Sequence, residues 1–546
     1  FSRFYANSMA AYIVDSNPKI KRVFDTWKRS GSANALLSNL EKNLELKTLL
    51  LEETPWVLNA RNETERKKRV ALLFDLNKMT SQQERALQKL KDGQMASGAW
   101  PWFHGMRESR YITRHIVCGF AHLDRLKVIQ ARANKKIWNM LKEAVPYMDR
   151  KLKEDYRRLL KYEVNLKSRH IGYHLVHYLY ARSYFRDIPM DDSSKEAFEY
   201  YKGQAQKYWL DFNIYMQGMI ALSLNRYDDH KTAAAIIESL KEHALHSEEM
   251  GMYWKSSYGY YWHQAPIETH ALLIEAFSEI ADDREAVDDL KIWLLKQKQT
   301  QDWRTTKATV EACYALLLKG SDWIAESKQP DITIGSKRKI KIDPEKMDGV
   351  DVEAGTGYFK TSWTRGEITP DMGHIRVTNN NKIAAWGGLY WQYFENLDKI
   401  TPAKTPLQLK KELFIERPSS TGPVLKSLKT NRLQVGDRIK VRIELRVDRT
   451  MEYVHMKDMR ASGFEPENVI SRYKWQDGLG YYESTKDAST NFFFDYLPKG
   501  TYVFEYPLRV GHAGDFSNGI TSIQCMYAPE FAGHSEGIRV KIGTNR

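Results

Sequence analysis

Ile112, Ile116, Phe120 and Leu123 recur at i, i+4, i+8 and i+11, the apolar stripe of an amphipathic helix. A loop rich in Gly and Trp, Gly98-Ala-Trp-Pro-Trp-Phe-His-Gly105, runs straight into it. Related units recur downstream. The aromatic stretch Met252–Ala265 precedes the apolar run Ile267–Phe277, and Gln299–Trp303 precedes Thr309–Leu317. Trp100, Trp254 and Trp303, with Trp209 in an intermediate slot, mark a period of about fifty residues, the signature of a helical repeat array. The pattern predicts helices over 33–53, 65–92, 109–129, 134–163, 170–183, 194–203, 208–224, 232–245, 266–281, 284–298 and 306–318. Asn17-Pro18, Gly93 and Gly98 act as breakers. Paired helices of this kind stack as an open solenoid or close into an α/α toroid. The toroid is the expectation for residues 1–325, with each aromatic loop at one rim plugging the gap between successive hairpins.

After Trp323 the period changes. Ile332–Ile342 alternates over its second half, Gly355–Trp363 and His374–Thr378 continue as strands, and Ile383–Phe394 reads as a buried aromatic strand. Thr401–Thr405, with two prolines, is the linker candidate. Beyond it, Leu407–Glu416, Arg438–Arg446, Met451–Asp458, Asn491–Tyr496, Thr501–Val510 and Ser522–Tyr527 alternate between turn residues, the spacing of a β-sandwich. The expected fold class is multidomain, α then β: an α/α toroid over 1–325, a β-domain over 326–404 and a β-sandwich over 405–546.

Composition changes little in this picture. The 546 residues exceed the size of one hydrophobic core, and no apolar run approaches the ~18–20 residues of a membrane-spanning helix. The net charge of +14 is spread among acidic residues, as in Lys151-Leu-Lys-Glu-Asp-Tyr-Arg-Arg158, so a solvated mixed-charge surface is favoured over a nucleic-acid partner. Cys118, Cys313 and Cys525 lie far apart and form no metal-binding spacing; Cys118 and Cys313 read as small buried hydrophobes among apolar neighbours. The chain has no initiator Met and opens inside a helical pattern, Phe1, Phe4, Tyr5, Met9, Tyr12 and Ile13, so it is expected to be a piece of something longer.

Three C-terminal strings carry a family resemblance: Tyr453-Val-His-Met-Lys-Asp-Met-Arg-Ala-Ser-Gly-Phe-Glu-Pro466, Asn491-Phe-Phe-Phe-Asp-Tyr-Leu-Pro-Lys-Gly-Thr-Tyr502 and Met526-Tyr-Ala-Pro-Glu530. They resemble the last macroglobulin-like sandwich of the bacterial alpha-2-macroglobulins. The helical part looks like that family's thioester domain, an α/α toroid. Trp386-Gly-Gly-Leu-Tyr-Trp-Gln-Tyr393 resembles the returning half of the β-domain into which the toroid is inserted. The family's Cys-x-Glu-Gln, whose side chains condense into an internal acyl donor, does not occur here. Phe1-Ser-Arg-Phe-Tyr-Ala-Asn7 looks like the segment immediately C-terminal to that motif, so the chain is expected to begin just after it; a thioester-less branch is the alternative. The resemblance implies a protease trap and endopeptidase inhibitor, not an enzyme with turnover, in the periplasm or on the outer surface, within a larger secreted or lipid-anchored precursor. Target proteases are the implied partners, with a cell-wall synthase as a further one. No cofactor, metal or nucleic acid is called for.

His104 is the candidate for a chemical role. In thioester proteins of complement type a histidine in the loop before a toroid helix steers acyl transfer towards hydroxyls, and His104 lies in such a loop. It is expected beside the start of the Phe1 helix, screened from water by Tyr and Trp; the bland alternative is a rim-loop histidine supporting Trp100 and Trp102. Trp100, Trp102, Arg107, Trp254, Trp262 and His263 are candidate rim contacts. His170, His174 and His177 share a helical face, yet Tyr173, Tyr178 and Tyr180 around them favour an aromatic-polar contact face over a metal site. Arg107, Glu108 and Arg110 read as capping and ion-pairing charges, and Trp386, Trp391, Trp475 and Phe492–Phe494 as sandwich core. Toroid followed by sandwich is also the architecture of polysaccharide lyases. In that reading Tyr260, His263, Gln264 and Arg107 form a cleft able to take a uronate.

Overall fold

The computed structural model describes residues 1–16, 76–255, 265–300, 303, 305–318, 330–336, 340–342, 351–352, 359–364, 366–381, 385, 387–389, 391, 394–403, 405–420, 422–428, 431–476 and 478–544. The expected helix 33–53 and most of the motif-bearing stretch around residue 260 lie outside them. Helices come first, interrupted by one short hairpin, and the other sheets follow. The helices are α1 (Ser2–Ser16), α2 (Leu76–Asp92), α3 (Arg110–Arg125), α4 (Lys135–Lys161), α5 (Tyr173–Ser183), α6 (Asp192–Tyr208), α7 (Ile214–Arg226), α8 (His230–Glu242), α9 (Pro266–Ala276), α10 (Arg284–Thr300) and α11 (Thr306–Leu317).

Sequence sets several of the starts. Ser109, Asn134, Asp191, Asn213 and Thr305 are extended residues whose side chains accept a first-turn N–H, and Asp229, with a φ of −93° and a ψ of 71°, caps in the same way. Asn213 explains why the single helix expected over 208–224 is broken. Trp209–Asp211 closes as a 3₁₀ turn, and the cap restarts the helix at Ile214.

The chain divides into two compact units. In the first, the odd-numbered helices neighbour one another in a cycle: α1 on α3, α3 on α5, α5 on α7, α7 on α9, α9 on α11, and α11 back on α1. Of the even-numbered helices, α2 packs on α1, α4 on α3, α6 on α5 and α7, and α8 on α7. Of these odd-numbered, inner helices, α9 is buried over its whole length, and α3 and α5 over most of theirs.

Trp100 and Trp254 sit at equivalent places in this repeat. The Trp100 indole N–H donates to the Leu90 carbonyl at 2.8 Å, and that of Trp254 to the Leu240 carbonyl at 2.9 Å. Each satisfies a carbonyl left unpaired at the C-terminal end of an outer helix. At these two of the four tryptophan positions read from the sequence the indole is a buried helix-end plug; Trp209 and Trp303 are only partly buried, and the Trp303 indole N–H has no hydrogen-bond partner among the described residues.

Gly98 lets the first such loop approach α4. Its φ is +91°, and a Cβ there would lie 2.1 Å from the Glu143 carbonyl oxygen. Gly98→Ala is expected to cost about 2–4 kcal/mol, from left-handed strain plus overpacking against backbone; a thermal melt of the purified chain checks this.

The same unit holds the hairpin β1 (Leu245–Ser247) and β2 (Gly251–Tyr253), then β3 (Asp331–Ile334), β4 (Ile340–Ile342), β5 (Asp351–Val352), β6 (Phe359–Lys360) and β7 (Ile375–Thr378). Their orders are β4-β3-β7 and β5-β6, all antiparallel. No strand is formed by the described residues of 383–394. Leu389, Trp391 and Phe394 are exposed, which corrects the expectation of a buried aromatic strand; Trp386 lies outside the described residues.

The second unit carries β8 (Leu407–Arg417), β9 (Val424–Ser427), β10 (Leu433–Gln434), β11 (Arg438–Val447), β12 (Met451–Met459), β13 (Phe464–Pro466), β14 (Arg472–Gln476), β15 (Leu479–Lys486), β16 (Ser489–Leu497), β17 (Gly500–Val510), β18 (Gly514–Gly519), β19 (Thr521–Cys525), β20 (Ala532–His534) and β21 (Ile538–Gly543). Two main sheets, β13-β17-β11-β8-β9 and β14-β15-β16-β12-β19-β20, turn their apolar faces into one shared core; a third runs β10-β21-β18. Phe492 and Phe494 are buried in this core as expected, whereas Phe493 is buried outside it against His455 and Tyr482, and Trp475 is 80% exposed. It stands on the edge strand β14, and its ring lies over Gly480, its partner on β15, because glycine leaves that space open.

Candidate functional site: the polar centre of the helix ring and its rim loop

The rim loop is held at both ends. Trp100 N–H donates to Thr113 Oγ1 at 3.1 Å, Ser109 N–H returns to the Trp100 carbonyl at 2.9 Å, and Glu108 pairs with Lys151 at 3.1 Å. Arg110 pairs with Asp155 at 2.6 Å, so Glu108 and Arg110 are the ion-pairing charges expected. Between these anchors Trp102, Phe103, His104, Met106 and Arg107 are exposed. His104 is thus not screened by aromatic side chains, which corrects that expectation: the tight bridge between Pro101 and Glu108 turns the loop tip outward.

The aromatic contact with Phe1 comes from the helix instead. Trp102 stacks on Tyr111 (5.9 Å between centroids), Tyr111 on His115 (6.2 Å), and His115 meets the Phe1 ring edge-on at 5.7 Å. Gly119, one turn further along α3, leaves room for that ring: a Cβ there would lie 2.3 Å from Phe1 Cζ. Burial first, and then the positive charge of Lys307, lower the His115 pKa to about 4, so its imidazole is neutral at pH 7.

Tyr111, His115, Cys118 and His122 form the face of α3 opposite the apolar stripe, and they look into a small cavity with Tyr215, Glu268, Lys307, Glu311 and Tyr314. Its space for solvent is about 20 Å³, room for a water and little more. Cys118 is buried within the apolar core as expected, and on its cavity side Sγ lies 3.8 Å from His177 Nε2. Burial, then Glu311 and Glu275, push the thiol pKa up, away from nucleophilic use. Cys525 is buried and Cys313 partly so.

All six inner helices meet in one network here. The His122 ring lies 3.0 Å from Tyr5 Oη of α1, 3.2 Å from Glu311 of α11 and 2.9 Å from Tyr180 Oη of α5, and stacks on Tyr314 with centroids 4.1 Å apart. Tyr180 donates to Glu275 of α9 at 2.7 Å, and Tyr184 also donates to that carboxylate. Arg226 of α7 donates to Glu275 at 2.6 Å and to Glu279 at 2.7 Å; Arg125 of α3 contacts both carboxylates, Glu275 at 3.1 Å. Burial alone would raise the Glu275 pKa, but Arg226 and Arg125 outweigh it and bring it down to about 2. Lys307 lies 3.8 Å from Glu268. Opposite charges fix these helices against one another and lower the pKa of Glu275, Glu279 and Glu311, while burial raises that of Glu268.

The remaining candidates are dispersed. His170 faces the Asn165 carbonyl at 3.0 Å, His174 lies 3.8 Å from Asp155, and His177 faces Cys118. Among the described residues no cluster of His, Cys, Asp and Glu is arranged to hold a metal ion. Trp262 and His263, and with them Tyr260 and Gln264, lie outside the described residues. Arg107, their proposed partner in a lyase cleft, is exposed on the rim loop. Among the described residues no helix is long and apolar enough to cross a membrane. The apolar-stripe reading missed His115 and His122, and placed Cys118 only as a buried hydrophobe, because an inner helix such as α3 is buried on more than one face. Their spacing at i, i+3 and i+7, with Glu268/Glu275 and Lys307/Glu311/Tyr314 at helical spacing, was the available signal.

Residues 407–530 match the family model described as the bacterial alpha-2-macroglobulin MG10 domain. The C-terminal strings that carried the resemblance lie in this stretch, and the resemblance to bacterial alpha-2-macroglobulins is shown there. Among solved structures, trypsin-activated alpha-2-macroglobulin from Escherichia coli is 13% identical, over 85% of this chain and 30% of that one, with a TM-score of 0.40. The native Escherichia coli protein from domain MG7 to the C-terminus is 12% identical, over 85% and 68%, with a TM-score of 0.30. Salmonella alpha-2-macroglobulin reacted with methylamine is 14% identical, over 98% and 31%, with a TM-score of 0.30. The chain thus spans about 30% of the first of these. No curated protein matches.

Proposed function

We propose that this chain is the C-terminal part of a bacterial alpha-2-macroglobulin-like protease trap of the cell envelope. The observation that carries the reading is the MG10 match over 407–530. In this reading the helix cycle over 1–325 is the thioester-type α/α toroid, 326–404 the returning β-domain and 405–546 the terminal macroglobulin-like sandwich. The trap acts by rearrangement after cleavage elsewhere in the parent, in the periplasm or on the outer surface. Target proteases are its partners, and a cell-wall synthase is a further one.

Acyl transfer needs the Cys-x-Glu-Gln that this sequence lacks. If the motif precedes Phe1, its acyl group emerges next to the ring that His115 contacts, while His104 stands in the exposed loop. A neutral, half-buried imidazole beside the acyl donor suits a nucleophile. The test uses the chain extended by its natural upstream segment. It is expected to incorporate methylamine and to retain trypsin in a complex stable to denaturant, whereas residues 1–546 alone do neither. In that extended chain His115→Ala is expected to shift the preference between amine and hydroxyl acceptors about tenfold or more, with His104→Ala as the paired variant. Failure of the extended chain to hold any protease sinks the reading. Release of unsaturated uronates, seen as rising ultraviolet absorbance, would establish the lyase alternative.

A further inference from the structure

Strand β8 alternates strictly, with Leu407, Leu409, Leu413 and Ile415 facing the core of the two-sheet unit, and the residue at the centre of that inward row is Lys411. Its side chain is 0% exposed. Opposite it, on the inward row of β12 with Val454 and Met456, stands Asp458, also 0% exposed. Lys411 Nζ lies 2.7 Å from Asp458 Oδ1 and 2.6 Å from the Met459 carbonyl oxygen. Thr521 of β19 donates to Oδ1 at 2.6 Å, and Tyr506 of β17 donates to Oδ2. Arg460 is the other charge against the pair; its guanidinium is held by the carbonyls of Asp487 (3.0 Å) and Ser489 (2.9 Å) and by Thr490 Oγ1 (3.4 Å). An ion pair this dry is a poor stabiliser, since desolvation of two charges offsets their attraction. The same geometry is a good one for reaction: adding a C–O bond of about 1.2 Å to the Nζ–Oδ1 distance puts Cγ at most about 4 Å from the amine.

We propose that Lys411 and Asp458 are condensed into an intramolecular amide, Nζ to Cγ, which ties β8 of one sheet to β12 of the other. The ammonium first passes a proton to the carboxylate, which low polarity favours. Burial, with Arg460 as a like charge, lowers the lysine pKa against the pull of Asp458. The Nζ lone pair then attacks Cγ. The hydroxyls of Tyr506 and Thr521 and the Arg460 charge stabilise the negative oxygen that develops. Collapse breaks one Cγ–O bond, and that oxygen leaves as water with two protons that began on Nζ. The third proton stays on the amide nitrogen, and nothing is oxidised or reduced.

The full chain as purified, denatured and weighed by mass spectrometry is expected to be about 18 Da lighter than its sequence, one water. Peptide mapping should recover a branched peptide joining Lys411 to Asp458, with tryptic cleavage after Lys411 abolished. Asp458→Asn is expected to close the same bond with loss of ammonia, about 17 Da, and to give a product of identical mass to the wild type. Lys411→Gln and Asp458→Ala should keep their full sequence mass. Tyr506→Phe should slow closure by about 10²-fold in freshly refolded protein. The wild-type mass does not depend on any variant folding. Full sequence mass after prolonged incubation, with Lys411 and Asp458 in separate peptides, overturns the proposal. So does a loss of one water mapped to another aspartate.

Discussion

Replacing Glu275 with alanine is expected to lower the melting temperature of the helical unit by roughly 6–20 °C, read by circular dichroism at 222 nm. Glu275 is completely buried and accepts from Arg226, Arg125, Tyr180 and Tyr184. Removing it leaves two guanidiniums facing each other across low-polarity space with only Glu279 between them. Breaking a buried pair by deleting one partner costs about 3–5 kcal/mol. For a unit of this size each kcal/mol moves the midpoint by about 2–4 °C. The damage spreads because α3, α5, α7 and α9 all lose the group that joins them. Lys195→Ala is the contrast: Lys195 and its partner Asp192 are exposed, and loss of an exposed pair stays within about 1 kcal/mol. If Glu275→Ala melts within 2 °C of the parent, the network is not what holds the inner helices together.

The same residues show what was legible from the chain. Repeats marked by Trp100 and Trp254 were visible because an indole that must reach a helix-end carbonyl needs a fixed loop, and a fixed loop has a composition. The strands from Leu407 were visible because β8 and β11 bury one face and expose the other. Hidden was everything that depends on a second buried face. On α3 the stripe through Ile116 and Phe120 looks like the whole answer, and Tyr111, His115 and His122 look like its solvent side, until neighbouring helices cover them. His104 was attractive because it sits in a loop, where functional residues concentrate. Its loop tip points outward, while His115, inside the helix, touches Phe1. Lys411 was legible as a charge in an apolar alternation; its partner, 47 positions away, was not, because no local pattern encodes which strands face each other across a core.

Acidification from pH 7 to pH 5 is expected to loosen the helical unit before the two-sheet unit. Burial lowers the pKa of His115 and His270 to about 4 and that of His177 well below its ordinary value. In the unfolded chain each titrates near 6.5. The folded state therefore binds fewer protons than the unfolded state between those values, and stability falls as pH falls. The loss starts near pH 6.5 and levels off once pH has passed below the folded value, near 4 for His115 and His270. Each histidine contributes at most about 1.4 kcal/mol per pH unit, so the three together reach roughly 4 kcal/mol per unit. The two-sheet unit carries one histidine lowered in this way, His455, held at about 4 by burial. Glu275 adds a second phase: its folded value near 2 means that its contribution, complete above the ordinary carboxylate range, is lost as pH falls through about 4.5 to 2. Urea unfolding at pH 7, 6 and 5, combined with segment-resolved hydrogen exchange, reads the order directly. Residues 110–317 should lose protection at lower urea than 407–543 as pH drops. His270 stacks on Trp293 with centroids 3.5 Å apart, so a phenylalanine fits the same slot. His270→Phe should flatten the pH dependence by about one proton, although it loses the hydrogen bond to the Pro266 carbonyl. Earlier loss of protection in the sheets, or a slope unchanged by His270→Phe, would show that these histidines are protonated inside the fold and do not govern its acid stability.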